Sequence, residues 1–278
     1  MVLSQKAKLL TEPDSILREE EFQTNLALAP QKELQDGRYL LRFAHSRQDL
    51  EAALRLRFQV FNLELGEGLE SSFATDQDKD EFDASCHHLI VFDRKQDQVV
   101  GTYRVQTEEM AAARGGFYSA TEFDLSLFPP GVLKSSVELG RACIAKAHRN
   151  TQVLFLLWKG IASYVAYNQK RYLFGCCSLT GQNVAEGNQV FEFLRQNGHL
   201  HESFRVIPRT GFECVPSVPN SKFIGEVKLP KLFRIYLRFG AKVCSPPAID
   251  RQFKTIDFLV IFDVDSIESK AHRMLFGS

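Results

Sequence analysis

An α/β domain built on one mixed sheet, with helices on both faces, is the architecture this sequence predicts. Three observations carry that expectation. Strand-like segments come first as a meander and then alternate with helix-like ones, an order that layers helices onto a sheet. The 278 residues are 44% apolar, enough for one large core. No internal repeat divides the chain into stacked units.

Residues 1–37 are charged, contain Pro and end at Asp36-Gly37. They read as an N-terminal appendage, partly disordered or a loosely docked helix, ahead of one domain over 38–278. Order is expected to begin with a strand at Tyr39–Ala44. Ser46 then caps a helix, with Asp49 in the capping-box position. Leu50, Leu54, Phe58 and Phe61 form its apolar stripe. Residues 64–84 are polar and rich in Gly and Asp, and read as a long loop, which in a compact domain is usually functional or disordered.

His88–Phe92 and Val99–Val105 read as a hairpin. A short helix near 107–113 follows, then a loop holding Gly115-Gly116 and Pro129-Pro130. Ser136–Ile144 reads as a strand. Asn150 caps a strong helix from Thr151 to about Asn168. Arg171–Cys177 is a buried-type strand, and Val184–Gln196 a helix ended by Asn197-Gly198. A Pro-studded segment, 207–230, leads to a short helix at 231–239. Thr255–Asp263 closes the pattern as a strand.

Composition excludes several classes. The 34 Lys or Arg and 34 Asp or Glu cancel, so this is not a charged disordered chain. No window holds eighteen apolar residues without a charge, so no spanning helix is expected. The N-terminus is too polar for a secretory signal. The 6 Cys show no CxxC pair. They read as reduced thiols in a cytoplasmic protein.

The cancelled charge is unevenly spread. Residues 131–242 hold 16 Lys or Arg, 6 Glu and no Asp, a balance of +10. An anionic partner would fit that half: a lipid head group or an acidic protein. A surface on which the charges remix in space would also explain it. No zinc finger, basic heptad region or glycine-aromatic pattern is present, so nucleic acid is not expected.

Glu138-Leu139-Gly140-Arg141 is the first candidate for chemistry. In a strand Glu138 and Gly140 share a face, and Arg141 points the other way unless a bulge intervenes. Two readings of Glu138 stay open here. It is aimed into a cleft where strands separate, or it is paired with an Arg at a sheet edge. Asp76, Asp78, Asp80, Glu81 and Asp83 form an acidic cluster. It lacks the Gly and Glu that a calcium loop needs, so no metal is expected. A loop that orders over a cation and a solvated surface loop both remain open. His87 and His88 begin a strand and read as structural groups on opposite faces. Cys176 and Cys177 read as packing, and Leu154–Trp158 as core.

Taken in order, these motifs acquire an identity. Arg55–Phe61, Asp80–Asp83 before a His-bearing strand, Gly101–Arg104, Gly116–Asp124 and Glu138–Arg141 follow one another. Trp158–Ile161, Phe174–Ser178 and Pro247–Phe258 extend the series. The chain resembles the ornithine N-acyltransferase family, also labelled hemolysin-like, whose members begin ornithine-lipid synthesis. The match covers about residues 38–265. The same order of Arg, Asp, Arg and Glu is similar to the acyl-homoserine-lactone synthases. Both groups belong to the GCN5-related N-acyltransferase superfamily.

The resemblance implies a splayed mixed sheet, with 136–144 and 171–177 as the central parallel strands. It implies transfer of a long-chain, 3-hydroxylated acyl group from acyl carrier protein to the α-amine of ornithine. No cofactor is implied beyond the donor's acyl-phosphopantetheine. Glu138 would be the base, and Arg141 would orient either Glu138 or the acidic loop. Arg57, Phe61, Asp80, Asp83 and Arg104 would meet the amine substrate. Acetyl-CoA users of the superfamily carry a Gly-rich pyrophosphate turn where this chain reads Lys146–Thr151, without Gly. Lys146, His148 and Arg149 would there face the carrier protein. A peripheral membrane contact is a further expectation. Alternatives are another amino acid such as glycine as acceptor, an acyl-homoserine-lactone synthase, and a non-catalytic lipid- or carrier-binding protein on the same fold.

Overall fold

Nine strands form one sheet in the computed structural model, which describes residues 26, 28–215 and 226–267. In chain order they are β1 (Leu34–Asp36), β2 (Tyr39–Phe43), β3 (His87–Asp93), β4 (Gln98–Thr107), β5 (Ser136–Ile144), β6 (Tyr172–Thr180), β7 (Lys242–Val243), β8 (Ala248–Asp250) and β9 (Thr255–Asp263). The helices are α1 (Arg47–Phe58), α2 (Glu108–Ala113), α3 (Thr151–Tyr167), α4 (Val184–Gln196) and α5 (Lys231–Arg238). The spatial order is β1-β2-β3-β4-β5-β6-β9-β7, with β8 also paired to β9.

Only β5 and β6 run parallel among the described strands, and they part quickly. Their pairing covers Ser136–Glu138 against Tyr172–Phe174 and goes no further. Beyond it, β5 stays with β4 and β6 with β9. The splay expected for these two strands is present, and Glu138 is the last residue of β5 paired to β6. Gly175 follows the point of parting, where a Cβ would fall 2.1 Å from the Leu139 carbonyl oxygen. Only glycine allows the two backbones to stay that close.

The faces follow from strand alternation. Leu41, Leu89, Val91, Val137 and Leu173 pack against α3 through Val153, Leu157 and Ile161. Ile90 points the opposite way, onto Ala53 of α1. Ser46 caps α1 by accepting from the Asp49 amide, as its sequence indicates. Asn150 caps α3 by accepting from the Val153 amide.

Several boundaries differ from the sequence reading. The stripe through Phe61 does not continue as α-helix. From Gln59 to Glu64 the chain widens into a π-helix, a form associated with functional sites. The 64–84 loop is tied into short 3₁₀ turns at Glu70–Ala74 and Glu81–Ser85. Leu34–Asp36 pairs with β2, so the ordered sheet begins inside the segment read as appendage. Residues 1–25 and 27 of that segment, 216–225 of the Pro-studded stretch and 268–278 of the expected domain lie outside the described residues. Strands β7 and β8, of two and three residues, carry too little pattern to be read in advance. No helix among the described residues is long and apolar enough to cross a membrane.

Candidate active site

Glu138 lies where the central strands part. Its carboxylate accepts the Tyr118 amide at 2.9 Å and the Ser119 amide at 2.7 Å. These are the first N–H groups of a 3₁₀ turn, Tyr118–Thr121. Two donated bonds fix the carboxyl's orientation without an arginine, so Glu138 is not edge-paired and Arg141 orients the loop instead of Glu138. Burial pushes the Glu138 carboxyl above its ordinary pKa, against the pull of those bonds. Glu138 also lines a cavity of about 430 Å³, within the range of small-molecule sites.

A bulge decides where Arg141 points. Arg104 pairs with Gly140, while Thr102 pairs with Cys143, so β5 carries an extra residue there. Arg141 absorbs it with φ +48°. Its guanidinium thereby joins Arg104 beside the Tyr118 ring, with centroid distances of 5.0 and 5.4 Å, and lies 4.0 Å over Phe253.

The acidic loop is bound by these arginines. Arg57 donates to Asp78 through Nε at 2.7 Å and to Asp83 through Nη1 at 2.6 Å. Arg104 bonds Asp80 at 2.5 Å and Asp83 at 3.0 Å. Arg141 bonds Asp80 at 2.9 Å and Asp78 at 3.2 Å. Asp80 and Asp83 also form a capping box over Glu81–Ser85. Burial alone would raise the Asp83 carboxyl, but Arg57 and Arg104 outweigh it and hold it far below the carboxylate range.

This corrects the role expected of Arg57. It is 0% exposed and committed to two loop carboxylates, so it braces the loop and has no side left for a substrate. Asp80 and Asp83 are likewise engaged, and the loop is a scaffold rather than an open cation trap. Arg104, Arg141 and Phe61 do line the cavity.

His148 also departs from expectation. It is buried, with Nδ1 3.1 Å from the Tyr39 hydroxyl and Nε2 2.9 Å from Gln96 Oε1. A ring held between those groups cannot face a partner protein. Lys146 is exposed. Arg149 is exposed too, but forms a bidentate pair with Glu64 at 2.5 and 2.7 Å. His87 and His88 face opposite sides, as expected. One meets the Tyr164 hydroxyl at 2.9 Å, the other the Asp83 carbonyl at 3.0 Å.

The cavity has two chemically different ends. One carries Arg104, Tyr118, Glu138, Arg141 and Asp257. The other is walled by Trp158, Ile161 and Ala162 of α3 and by Phe233 and Tyr236 of α5. Trp158, read as core, thus contributes to a wall. The parted strands join the two ends, since Leu139 and Leu173 face α3 while Glu138 and Phe174 face the other side. The short helix expected at 231–239 is present as α5, but its place in the cavity wall, made by long-range packing, was not legible in the sequence.

The sequence reading also missed a second acidic group. Glu122, Asp250 and Asp257 are buried, with one oxygen of each within 4.8 Å of the others. The available signal was Asp257, a lone carboxylate inside the apolar strand β9. Burial and the neighbouring Asp257 and Asp250 raise Glu122 well above its ordinary pKa. Burial likewise raises Asp257. A carboxyl raised in the folded state stabilises most below its unfolded pKa, and that contribution is lost as pH rises through the folded value. Glu122→Gln is therefore expected to raise the melting temperature at pH 8 by roughly 2–8 °C, equivalent to ~1–2 kcal/mol. Near pH 4.5 the gain should vanish. Scanning calorimetry at both values checks this; a loss of stability at pH 8 contradicts it.

Comparison with known proteins agrees with the geometry. Residues 56–159 match the family described as an acetyltransferase (GNAT) domain. A mixed sheet splayed at its parallel pair, with a buried carboxylate in the fork, defines the class as a GCN5-related N-acyltransferase. The L-ornithine N(alpha)-acyltransferase of Brucella abortus (strain 2308) is 34% identical, covering 84% of this chain and 87% of its own. That of Rhizobium meliloti (strain 1021) is 31% identical over 82% of this chain and 81% of its own. The AHL synthase LasI superposes with a TM-score of 0.47 at 13% identity, over 87% of this chain and 97% of its own. The chain belongs to the L-ornithine N(alpha)-acyltransferase family, and is an amino-acid N-acyltransferase.

Proposed function

We propose that the protein transfers a long-chain, 3-hydroxylated acyl group from acyl carrier protein to the α-amine of ornithine, opening ornithine-lipid synthesis. The observation that carries this reading is a buried carboxylate at the fork of a cavity with one polar and one apolar end. The named activity of the relatives supports ornithine as acceptor.

In this reading the ammonium of the acceptor gives a proton to Glu138, whose raised pKa suits a base. The freed amine attacks the thioester carbonyl and a C–N bond forms. The tetrahedral oxyanion is stabilised by backbone amides left unpaired where β5 and β6 part. The C–S bond then breaks as the nitrogen gives up its second proton, which leaves with the phosphopantetheine as its thiol. The acyl chain lies among Trp158, Ile161, Phe233 and Tyr236. Arg104 spends only Nη1 on the loop and Arg141 only Nε and Nη2, and both line the cavity, so their remaining N–H groups orient the acceptor's carboxylate. No covalent enzyme intermediate is required. Burial raises the Cys176 thiol well above its ordinary pKa, which suits packing and not attack.

Ala162 lines the apolar end. Ala162→Phe is expected to lower kcat/KM for long acyl chains by at least about tenfold relative to short ones, since filling a packed site costs ~1–3 kcal/mol. Equal use of both chain lengths by the variant would remove the chain from this arm of the cavity.

The carrier donor is supported by the +10 balance of 131–242 and by a turn without Gly before α3. Reversing charge at Lys146 and Arg149 should weaken use of acyl carrier protein far more than of a small acyl thioester. Rates with the carrier should also fall with salt, because exposed charges are screened beyond ~8 Å at physiological ionic strength. Equal losses with both donors contradict a docking role.

Mass spectrometry of lipid extracts from a host expressing the protein tests the whole reading. New N-acylornithines are expected. Extracts with new N-acylglycines and no ornithine amides would overturn the choice of acceptor.

A further inference from the structure

The buried Glu122, Asp250 and Asp257 cluster holds carboxylate oxygens without a countercharge. Glu122 Oε1 and Oε2 and Asp257 Oδ1 have no well-formed bond from an N–H or O–H donor; what holds them is the proximity of the two carboxyls, which can share a proton with each other, and the nearby Tyr118 and Ser178. Glu122 is 0% exposed and Asp257 3%. Unpaired carboxylate oxygens in such a setting are costly and call for a cation or a donor. The other oxygens of the cluster are engaged. Asp257 Oδ2 accepts the Thr255 hydroxyl at 3.2 Å. Asp250 Oδ1 accepts the Gln252 amide at 2.7 Å and the Phe253 amide at 3.0 Å. Asp250 Oδ2 accepts the Tyr118 hydroxyl at 3.4 Å.

The cluster also adjoins the reaction site. Asp257, Thr255 and Phe253 line the same cavity as Glu138. Tyr118 links the two places, its amide on Glu138 and its hydroxyl on Asp250. A short aminoalkyl chain could span the same gap, its α-amine at Glu138 and its terminal ammonium at Asp257. The acidic loop does not supply this function, because Asp78, Asp80 and Asp83 are neutralised by Arg57, Arg104 and Arg141 and none of the three lines the cavity.

We infer that Asp257, backed by Glu122, is the subsite for the side-chain ammonium of the amine acceptor and sets its preference for a diamino acid. An ammonium fits better than a bare metal ion. The unengaged oxygens come from two carboxylates, short of the six to eight oxygen ligands that calcium takes. This inference rests on the amino-acid acceptor proposed above and adds the groups that read its side chain.

The test compares ornithine with norvaline, which has the same carbon skeleton without the side-chain amine. Wild-type protein should acylate ornithine with kcat/KM roughly 10- to 100-fold above norvaline, the worth of a charged hydrogen bond. Asp257→Asn should remove most of that ratio by lowering the ornithine rate, with norvaline little changed. Glu122→Gln should act in the same direction. Wild-type protein that uses both amines equally overturns the inference without any variant. A variant that loses both amines in proportion, while still melting cooperatively, marks the cluster as structural and overturns it too. Loss of activity in EDTA, restored by calcium or magnesium, would assign the cluster to a metal and do the same. Absence of any amide from either amine sinks the proposed function itself, a separate result.

Discussion

Glu138→Gln is expected to lower kcat/KM for acyl transfer by ~10²–10⁴-fold, the usual contribution of a positioned general base. The substitution keeps the side chain's shape and removes its basicity. It also turns one acceptor into an amide NH₂ facing the Tyr118 or Ser119 N–H. A stability loss of about 1–3 kcal/mol should accompany it, the cost of a buried donor left unpaired. The two effects separate by temperature, since a base defect persists far below the melting transition. The wild-type enzyme should show an acid limb in its pH profile, because the base must be ionised in the free enzyme. Burial places that limb above the ordinary carboxylate range. Wild-type turnover by the Gln variant at neutral pH would remove Glu138 from the mechanism.

The second large effect concerns stability. Asp83 accepts from Arg57 through both carboxylate oxygens and from Arg104, and also caps the Asp80 amide. Asp83→Asn leaves a fully buried guanidinium short of countercharge. Breaking a buried pair from one side costs ~3–5 kcal/mol, or roughly 6–20 °C of melting temperature in a domain of this size. The folded pKa values of Asp80 and Asp83 are depressed. Their stabilisation is therefore present above the unfolded carboxylate pKa and is lost as pH falls through the folded values. The wild type should lose stability on acidification more steeply than Asp83→Asn. Acylation of ornithine and norvaline should fall together in this variant. An unchanged melting temperature with loss of ornithine alone would return the loop to substrate recognition.

Much of the scaffold was legible because local signals were strong. The bounds of β5, α4 and β9 follow from alternation, a cap and a flanking Gly, and the structure keeps them at 136–144, 184–196 and 255–263. The splay itself came from the family resemblance and not from periodicity. What local pattern could not carry was the choice among partners. Five carboxylates in eight residues look available in one dimension. Three arginines from α1, β4 and β5 close on three of them, Asp78, Asp80 and Asp83, only in space. Arg141 reaches them because a bulge turns it, which Gly140 hinted at without fixing the direction. His148 looked like part of a basic patch, yet the turn before α3 buries it against Tyr39 and Gln96. The Glu122, Asp250 and Asp257 cluster joins Glu122 to two carboxylates more than a hundred positions further on, so no spacing could reveal it.

The most direct measurement uses purified protein, acyl carrier protein charged with a defined 3-hydroxyacyl chain, and ornithine. Tandem mass spectrometry locates the new amide while free carrier thiol is followed over time. The account predicts one thiol released per amide, acylation of the α-amine with the side-chain amine left free, and faster transfer to ornithine than to glycine. No amide above the uncatalysed level, acylation of the side-chain amine, or faster transfer to glycine would contradict it.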